Sequence, residues 1–387
     1  MNSQGSPDPG AGAPDQGDGS RLTLRRRFAR GLAGSDRLPT SLRAALDHYA
    51  ATGRLALDSI RAHRAAQDRV EGIVDEAFAD VEREIASAFD RPADEVEFDY
   101  GTKLTMPVEL TLAHVYARSS QEPDGAVDGS SDVAVAESIT ELVVIALLDG
   151  DIRDALNDEE YDDFRVNVRL EDEATRRRVG EIAQSTLQGA VEERFSKFDD
   201  EIRRAYERAV EFSEAHQERD PYYRTLLWRA RDGDSEALED IRREYKFASF
   251  DDSPAILSEL PVELPYFKTQ YGRVGVIYDA MIDMYRAAGI EIDPAFELSI
   301  VLSIIGAQIW LDDVDDYEAD LEEGQLTPVT AEYLLRESDA AAFDRIVDIT
   351  ERYLDAAKER AFAADSDLVS IGARYIYYSG SPDALPR

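Results

Sequence analysis

From Pro39 to about residue 364, apolar side chains recur at three- and four-residue spacing with charged residues between them. That is the period of amphipathic helices, since residues three and four apart share a helix face, whereas strands alternate every second residue. The pattern opens with TSLRAALDHYAATGRLALDSIRAHRAAQDRVEGIVDEAFADVEREIASAF (40–89), for which Thr40 or Ser41 would serve as N-cap. It predicts further helices over 133–157, 171–217, 222–246, 268–288, 294–322, 328–337 and 340–364. SSQEPDGAVDGSSD (119–132) reads as a loop and FDDSPAILSELPVELP (250–265) as a turn-rich break. No alternating run is long enough to demand a sheet. The expectation is all-α, a single large helical bundle over residues 40–387. Ahead of it, the Pro-, Gly-, Asp- and Ser-rich residues 1–20 read as a disordered leader. Residues 21–30 hold five arginines and complete the 1–39 segment as a basic arm.

Charge changes this picture more than hydropathy does. Asp plus Glu number 81 against 43 Lys plus Arg, a net charge of −38, while 43% of residues remain apolar. The excess acid therefore belongs on the surface of a folded protein. Lysine occurs only at 103, 197, 246, 268 and 358, so arginine carries nearly all the positive charge. Acid-rich and lysine-poor composition suits a salt-adapted cytoplasm, where a Debye length of about 3 Å at molar salt screens surface repulsion. Such a charge opposes binding to phosphate backbones, so nucleic acid is excluded as an expected partner. Cysteine is absent, which removes disulfides, thiolate nucleophiles and Cys-ligated metals. His48, His63, His114 and His216 are scattered in sequence and read as surface or helix-face residues. LVVIALL (142–148) ends at Asp149, and FELSIVLSIIGAQIWL (296–311) is interrupted by Glu297, so neither reaches the roughly 20 apolar residues of a membrane span. No transmembrane segment is expected.

The chemistry-bearing stretch is QIWLDDVDDYEAD (308–320). On an α-helix Gln308, Asp312, Asp316 and Asp320 would share one face with Asp313 beside them. Carboxylates so spaced supply the hard oxygen ligands that Mg²⁺ takes, with a substrate phosphate completing the shell. In so acidic a chain they are equally readable as a solvated face.

Read with the rest of the chain, QIWLDDVDD resembles the second aspartate-rich motif, DDxxD, of the trans-type polyprenyl diphosphate synthases. EGQLTPVT follows where that family has a Gly-Lys-x-Thr-like stretch. YGTKLTMP (100–107) is similar to the family's GGKRxRP segment, ESITELVVIALLDGDIRD (137–154) to the helix carrying its first DDxxD motif, and YFKTQYGRVG (266–275) to its Lys-Thr segment. The four segments stand in the family's order. This chain differs from the pattern at Gly150, which replaces the leading aspartate of the first motif. Leu104 and Met106 stand where the family has arginines, and FRVNVR (164–169) is a distant counterpart of its Arg-Arg pair. The interval from Gln308 to Asp312 is one residue longer than in the family.

The resemblance implies an isoprenoid-synthase bundle with two acidic helix ends facing each other. It implies Mg²⁺ as cofactor, held by Asp312, Asp313 and Asp316 on one side and Asp151 and Asp154 on the other, with Asp149 or Asp158 standing in for the missing carboxylate. Lys103 and Lys268 would bind diphosphate, and Lys268, Thr269 and Gln308 would act in catalysis. Prenyl transfer from an allylic diphosphate is the implied activity. The alternatives are a class I terpene synthase, which needs one diphosphate site, and a noncatalytic paralogue partnering an active synthase. A homodimer, or a heteromer with a related synthase, would be the assembly. A helical bundle without a ligand is the remaining reading.

Overall fold

The computed structural model describes residues 26–387 apart from 28, 36, 102–104, 121–128, 158, 160, 162, 163, 168–172, 251–253, 255, 257–259 and 261–263. Of the described residues 79% are helical, and among them one short antiparallel pair of strands joins Phe98–Asp99 to Arg165–Val166. The all-α expectation holds. The expected leader, residues 1–20, lies outside the described residues.

Two compact units divide the chain, Met1–Leu55 and Ala56–Arg387. In the first, α1 (Thr40–Thr52) ends at Gly53, whose φ of 76° is the left-handed conformation that glycine adopts without a Cβ clash. Neither Thr40 nor Ser41 caps this helix, because it starts at Thr40 and Pro39 holds the N-cap position. Arg26 from the basic arm donates Nε to Ala50 O at 2.9 Å, and Arg43 donates to Ala33 O at 3.0 Å. The helix that opens the periodic pattern thus packs with part of the basic arm.

The second unit is built from α2 (Leu57–Ala88), α3 (Met106–Ser119), α4 (Gly129–Asn157), α5 (Glu173–Phe195), α6 (Asp200–Gln217), α7 (Asp220–Arg231), α8 (Ser235–Asp240), α9 (Phe267–Gln270), α10 (Val276–Ala287), α11 (Pro294–Ala307), α12 (Tyr317–Glu323), α13 (Pro328–Leu335), α14 (Asp339–Ala363) and α15 (Asp367–Ser379). Two apolar cores form. One gathers Ile73 and Ile85 of α2, Leu112 of α3, Leu142, Ile145 and Ile152 of α4, and Leu187 of α5. The other gathers Leu226 of α7, Val329 of α13, Tyr353 and Leu354 of α14 and Ala373 of α15.

Helix α11 belongs to both cores: Phe296 and Ile300 point into the first, and Leu298, Leu302 and Ile305 into the second. Being enclosed on opposite sides, it has no face left for polar residues. The segment Pro294–Asp312 is consequently long and apolar enough to cross a membrane, yet 67% of that window is buried inside the protein. It packs most extensively against α14, closely enough that a Cβ on Gly306 would come within 2.7 Å of Leu354 Cδ2. Its start is set by Asp293, whose carboxylate accepts from Ala295 N at 2.7 Å, with Pro294 as first helical residue.

Candidate functional site

Past Ala307 the helix does not continue with α geometry. Gln308–Asp312 form a π turn, closed by Asp313 N donating to Gln308 O at 2.9 Å, and residues 313–316 make a turn before α12 begins at Tyr317. A π turn holds one more residue than an α turn and so rotates everything after it. The single stripe expected from four-residue spacing is broken for that reason. Gln308 and Asp312 do touch, Nε2 donating to Oδ2. Asp313 and Asp320 turn inward and are buried, while Asp315 and Asp316 face solvent.

Two more π turns occur, Ile241–Lys246 and Tyr271–Gly275. The second presents Arg273, whose Nη1 lies 2.9 Å from Asp313 Oδ1 and Nη2 4.0 Å from Asp312 Oδ2. With its amide oriented to satisfy both neighbours, Gln325 accepts from Arg273 Nη2 at 3.2 Å and donates to Asp320 Oδ1 at 3.3 Å. The first π turn supports this arrangement from below. Tyr266, at φ 66° in the left-handed region that disfavours side chains, donates its backbone N to Lys246 O at 2.6 Å and its hydroxyl to Glu332 Oε1 at 2.8 Å. Glu332 also pairs with Lys246 Nζ at 2.5 Å and Arg336 Nε at 3.0 Å. These bonds pin the backbone just ahead of Lys268.

Electrostatics follow from burial. Burial pushes the Asp313 carboxyl up to about 6 against the pull of Arg273, and that of Asp320 up to about 7, with Asp313 adding to the effect. Burial opposes the charge of Arg273, but Asp313, Tyr245, Asp312 and Asp320 together hold its pKa above the ordinary arginine value. Asp313 Oδ2 and Asp320 Oδ2 are buried without a hydrogen-bond partner.

Three cations act on His216 through the electrostatic field. Its imidazole is lowered to about 4, first by burial and then by Arg273, Arg219 and Lys268. The ring lies so close over Gly272 that a Cβ there would stand 2.9 Å from Nδ1. Lys268 itself donates to Ser249 O and lies 5.7 Å from the Phe250 ring centroid. Thr269 is buried and donates to Tyr266 O at 3.0 Å, which gives it a backbone-holding position.

On α4, Asp149 is buried, paired with Arg153 and bonded by Gln184 Nε2 at 3.2 Å; burial raises its pKa. Asp151 is half-buried beside Tyr278, about a turn beyond Arg273 along the chain, and Asp154 is exposed. The structure therefore brings Gln308, Asp312 and Asp313 together at Arg273, while Lys268 reaches Ser249 O and acts on His216 through its charge. The structure leaves Asp151 on α4 near Tyr278 of α10, with Asp154 exposed on the same helix. Lys103 and Asp158 lie outside the described residues.

Sequence reasoning missed Arg273, Arg219, His216 and Gln325. Arg273 stood inside the quoted YFKTQYGRVG, but arginine is commonplace in this chain and gave no signal.

Among the described residues, no three acidic or histidine side chains form a ready-made metal cage. The donor set nevertheless fits Mg²⁺: the oxygens are hard, two of them are orphaned in the interior, and this ion takes few carboxylates when phosphate and water complete its shell. No family model, curated protein or solved structure matches this chain.

Proposed function

We propose that the cluster around Arg273 binds a diphosphate group with Mg²⁺, and that the ligand is a prenyl diphosphate of the kind the sequence resemblance implies. The observation that carries this reading is Arg273, set on its π turn against Asp313 and Asp312 of the 308–320 stretch and next to the Gly272 that His216 covers, with Arg219 and Lys268 adding to the positive field at that imidazole. In a chain of net charge −38, such a gathering of cations is what an anionic ligand needs.

Asp312, Asp313 and Asp316 would hold the metal, with Asp151 and Asp154 the candidates on α4. Mg²⁺ supplies Lewis-acid stabilisation of the charge that grows on a departing diphosphate. Lys268 is a point charge on a long stem for a terminal phosphate oxygen, and Arg273, fixed by Asp313 and Gln325, is a preorganised one. Gln308 orients Asp312. Thr269 keeps the Lys268 backbone in place.

Gly150 favours a second reading, binding without turnover as the partner of an active synthase. It supplies no carboxylate, and the space where a side chain would stand is open.

Calorimetric titration with inorganic pyrophosphate and with an allylic prenyl diphosphate, in molar KCl with and without Mg²⁺, tests the site. Asp316→Asn should weaken Mg²⁺-dependent binding about tenfold or more, while Asp58→Asn, an equal charge change at a side chain 95% exposed on α2, should leave it unchanged. Equal effects from the two would reduce the cluster to a solvated acidic face. Consumption of the allylic diphosphate, with and without isopentenyl diphosphate, separates elongation, ionisation alone and simple binding.

A further inference from the structure

A cavity of about 520 Å³ lies among α6, α10 and α11, lined by residues other than those gathered around Arg273 and His216. Its volume is that of a small-molecule pocket. Phe212, Ile256, Val276 and Pro294 form much of an apolar wall, and Tyr271 closes one side. The opposite wall carries charge of both signs. Arg286 grips Glu297 with two bonds of 2.8 Å and lies 3.6 Å from Asp283, while Arg208 reaches Asp283 at 3.5 Å.

Both guanidinium charges are thereby matched, to Glu297 and to Asp283. Asp279 is the third carboxyl of the cavity. It accepts the Tyr271 hydroxyl, and the Glu297 carboxyl is close enough to act on it. A buried carboxyl beside a second one takes up a proton more readily than an isolated one. Burial, and after it Glu297, raises the Asp279 carboxyl well above the usual carboxylate range, which favours its protonated form. The charged and titratable groups described around it are Glu297 on α11, Tyr271 on the π turn, Arg208 on α6, and Asp283 and Arg286 on its own helix. Neither arginine of the cavity forms an ion pair with Asp279, so the cavity holds one carboxyl more than it has guanidinium charges.

We propose that this cavity binds a small organic cation, a primary ammonium with an apolar substituent, as the counter-charge to Asp279, releasing the Asp279 proton. The exchange balances: the ammonium enters with one positive charge, the Asp279 O–H proton leaves to solvent, and the charge of the cavity is unchanged. The substituent lies against the apolar wall, and Phe212 and Tyr271, whose rings meet edge to face at 5.6 Å, offer π surface to the cation. An inorganic cation would leave the apolar wall unused. An organic anion would find both arginines already paired.

Calorimetry of the full chain with benzylammonium chloride, in buffers of different ionisation enthalpy, counts the protons. Near neutral pH about one proton should be released per ammonium bound, and affinity should fall about tenfold for each pH unit below the Asp279 value. Asp279→Asn keeps the shape and hydrogen bonding but has no proton to give, so release should vanish and binding weaken at least tenfold. Ala280→Leu, which fills the cavity from its lining without touching a carboxyl, should block binding too. Far-UV circular dichroism verifies that both variants are folded. The proposal is overturned by absence of benzylammonium binding, by unchanged proton release in Asp279→Asn, by equally tight binding of benzoate, or by potassium chloride alone displacing the proton and leaving nothing for the ammonium to do.

Discussion

Replacing Arg273 by Met removes the guanidinium while keeping most of the side-chain length, and so isolates what the charge does. Asp313 Oδ1 then loses its partner at 2.9 Å in a position with no solvent exposure of the carboxyl side chain. Breaking a buried ion pair from one side costs about 3–5 kcal/mol. Because the Arg273 side chain is 27% exposed, the lower end, about 3 kcal/mol, is expected above neutral pH. The pH dependence has a definite sign. Asp313 is raised in the folded protein to about 6, above an unfolded value of about 3.9, so its contribution is most favourable below that unfolded value and declines as pH rises through 6. Without Arg273 the folded value rises further, and each added unit costs about 1.4 kcal/mol at pH above it. The penalty of Arg273→Met should therefore shrink toward about pH 4, where Asp313 is protonated in the folded state and increasingly so in the unfolded one. Urea unfolding in molar KCl, followed by far-UV circular dichroism between about pH 4 and 8, measures it. Arg273→Met/Asp313→Asn should recover most of the loss, since the charge that required a partner is gone. A cost under about 1 kcal/mol at the alkaline end, a penalty indifferent to acid, or no recovery in the double variant would refute the reasoning.

Glycine replacements separate close approach from simple flexibility. Gly272→Ala should lose about 1–3 kcal/mol in thermal or urea melts, because the new Cβ meets His216 at 2.9–3.0 Å. Gly150→Ala meets nothing within 4 Å in the interior of α4 and should gain up to about 1 kcal/mol. Gly150→Asp adds a carboxylate at the same open position and should tighten Mg²⁺-dependent pyrophosphate binding in calorimetry, whereas Gly150→Ala should not.

Periodicity determined the helices whose one face is buried. That over 340–364 appears as Asp339–Ala363, because its polar face remains in water and the 3.6-residue pattern survives, while that over 328–337 appears as Pro328–Leu335, its start marked by the Thr327 cap and Pro328. Helices without that contrast were not legible. Met106–Ser119 is buried on most sides, and Asp367–Ser379 is rich in Ile, Tyr, Ser and Gly, which favour helix weakly until α11 and α14 pack against it. Long stretches read as continuous, such as 171–217, break at Phe195 and resume at Asp200, since local pattern does not register a turn that tertiary packing imposes. The site shows the same division. Composition made the acids and the scarce lysines conspicuous, and Lys268 and Asp312 do lie near the same centre. What sequence spacing could not show is the π turn at Gln308–Asp312, one extra residue that turns Asp313 inward to Arg273 and leaves Asp316 in solvent. Nor could it single out Arg273, Arg219 and His216 from many similar residues. Only the fold decides which charges are taken out of water, and burial is what gives those few their altered chemistry.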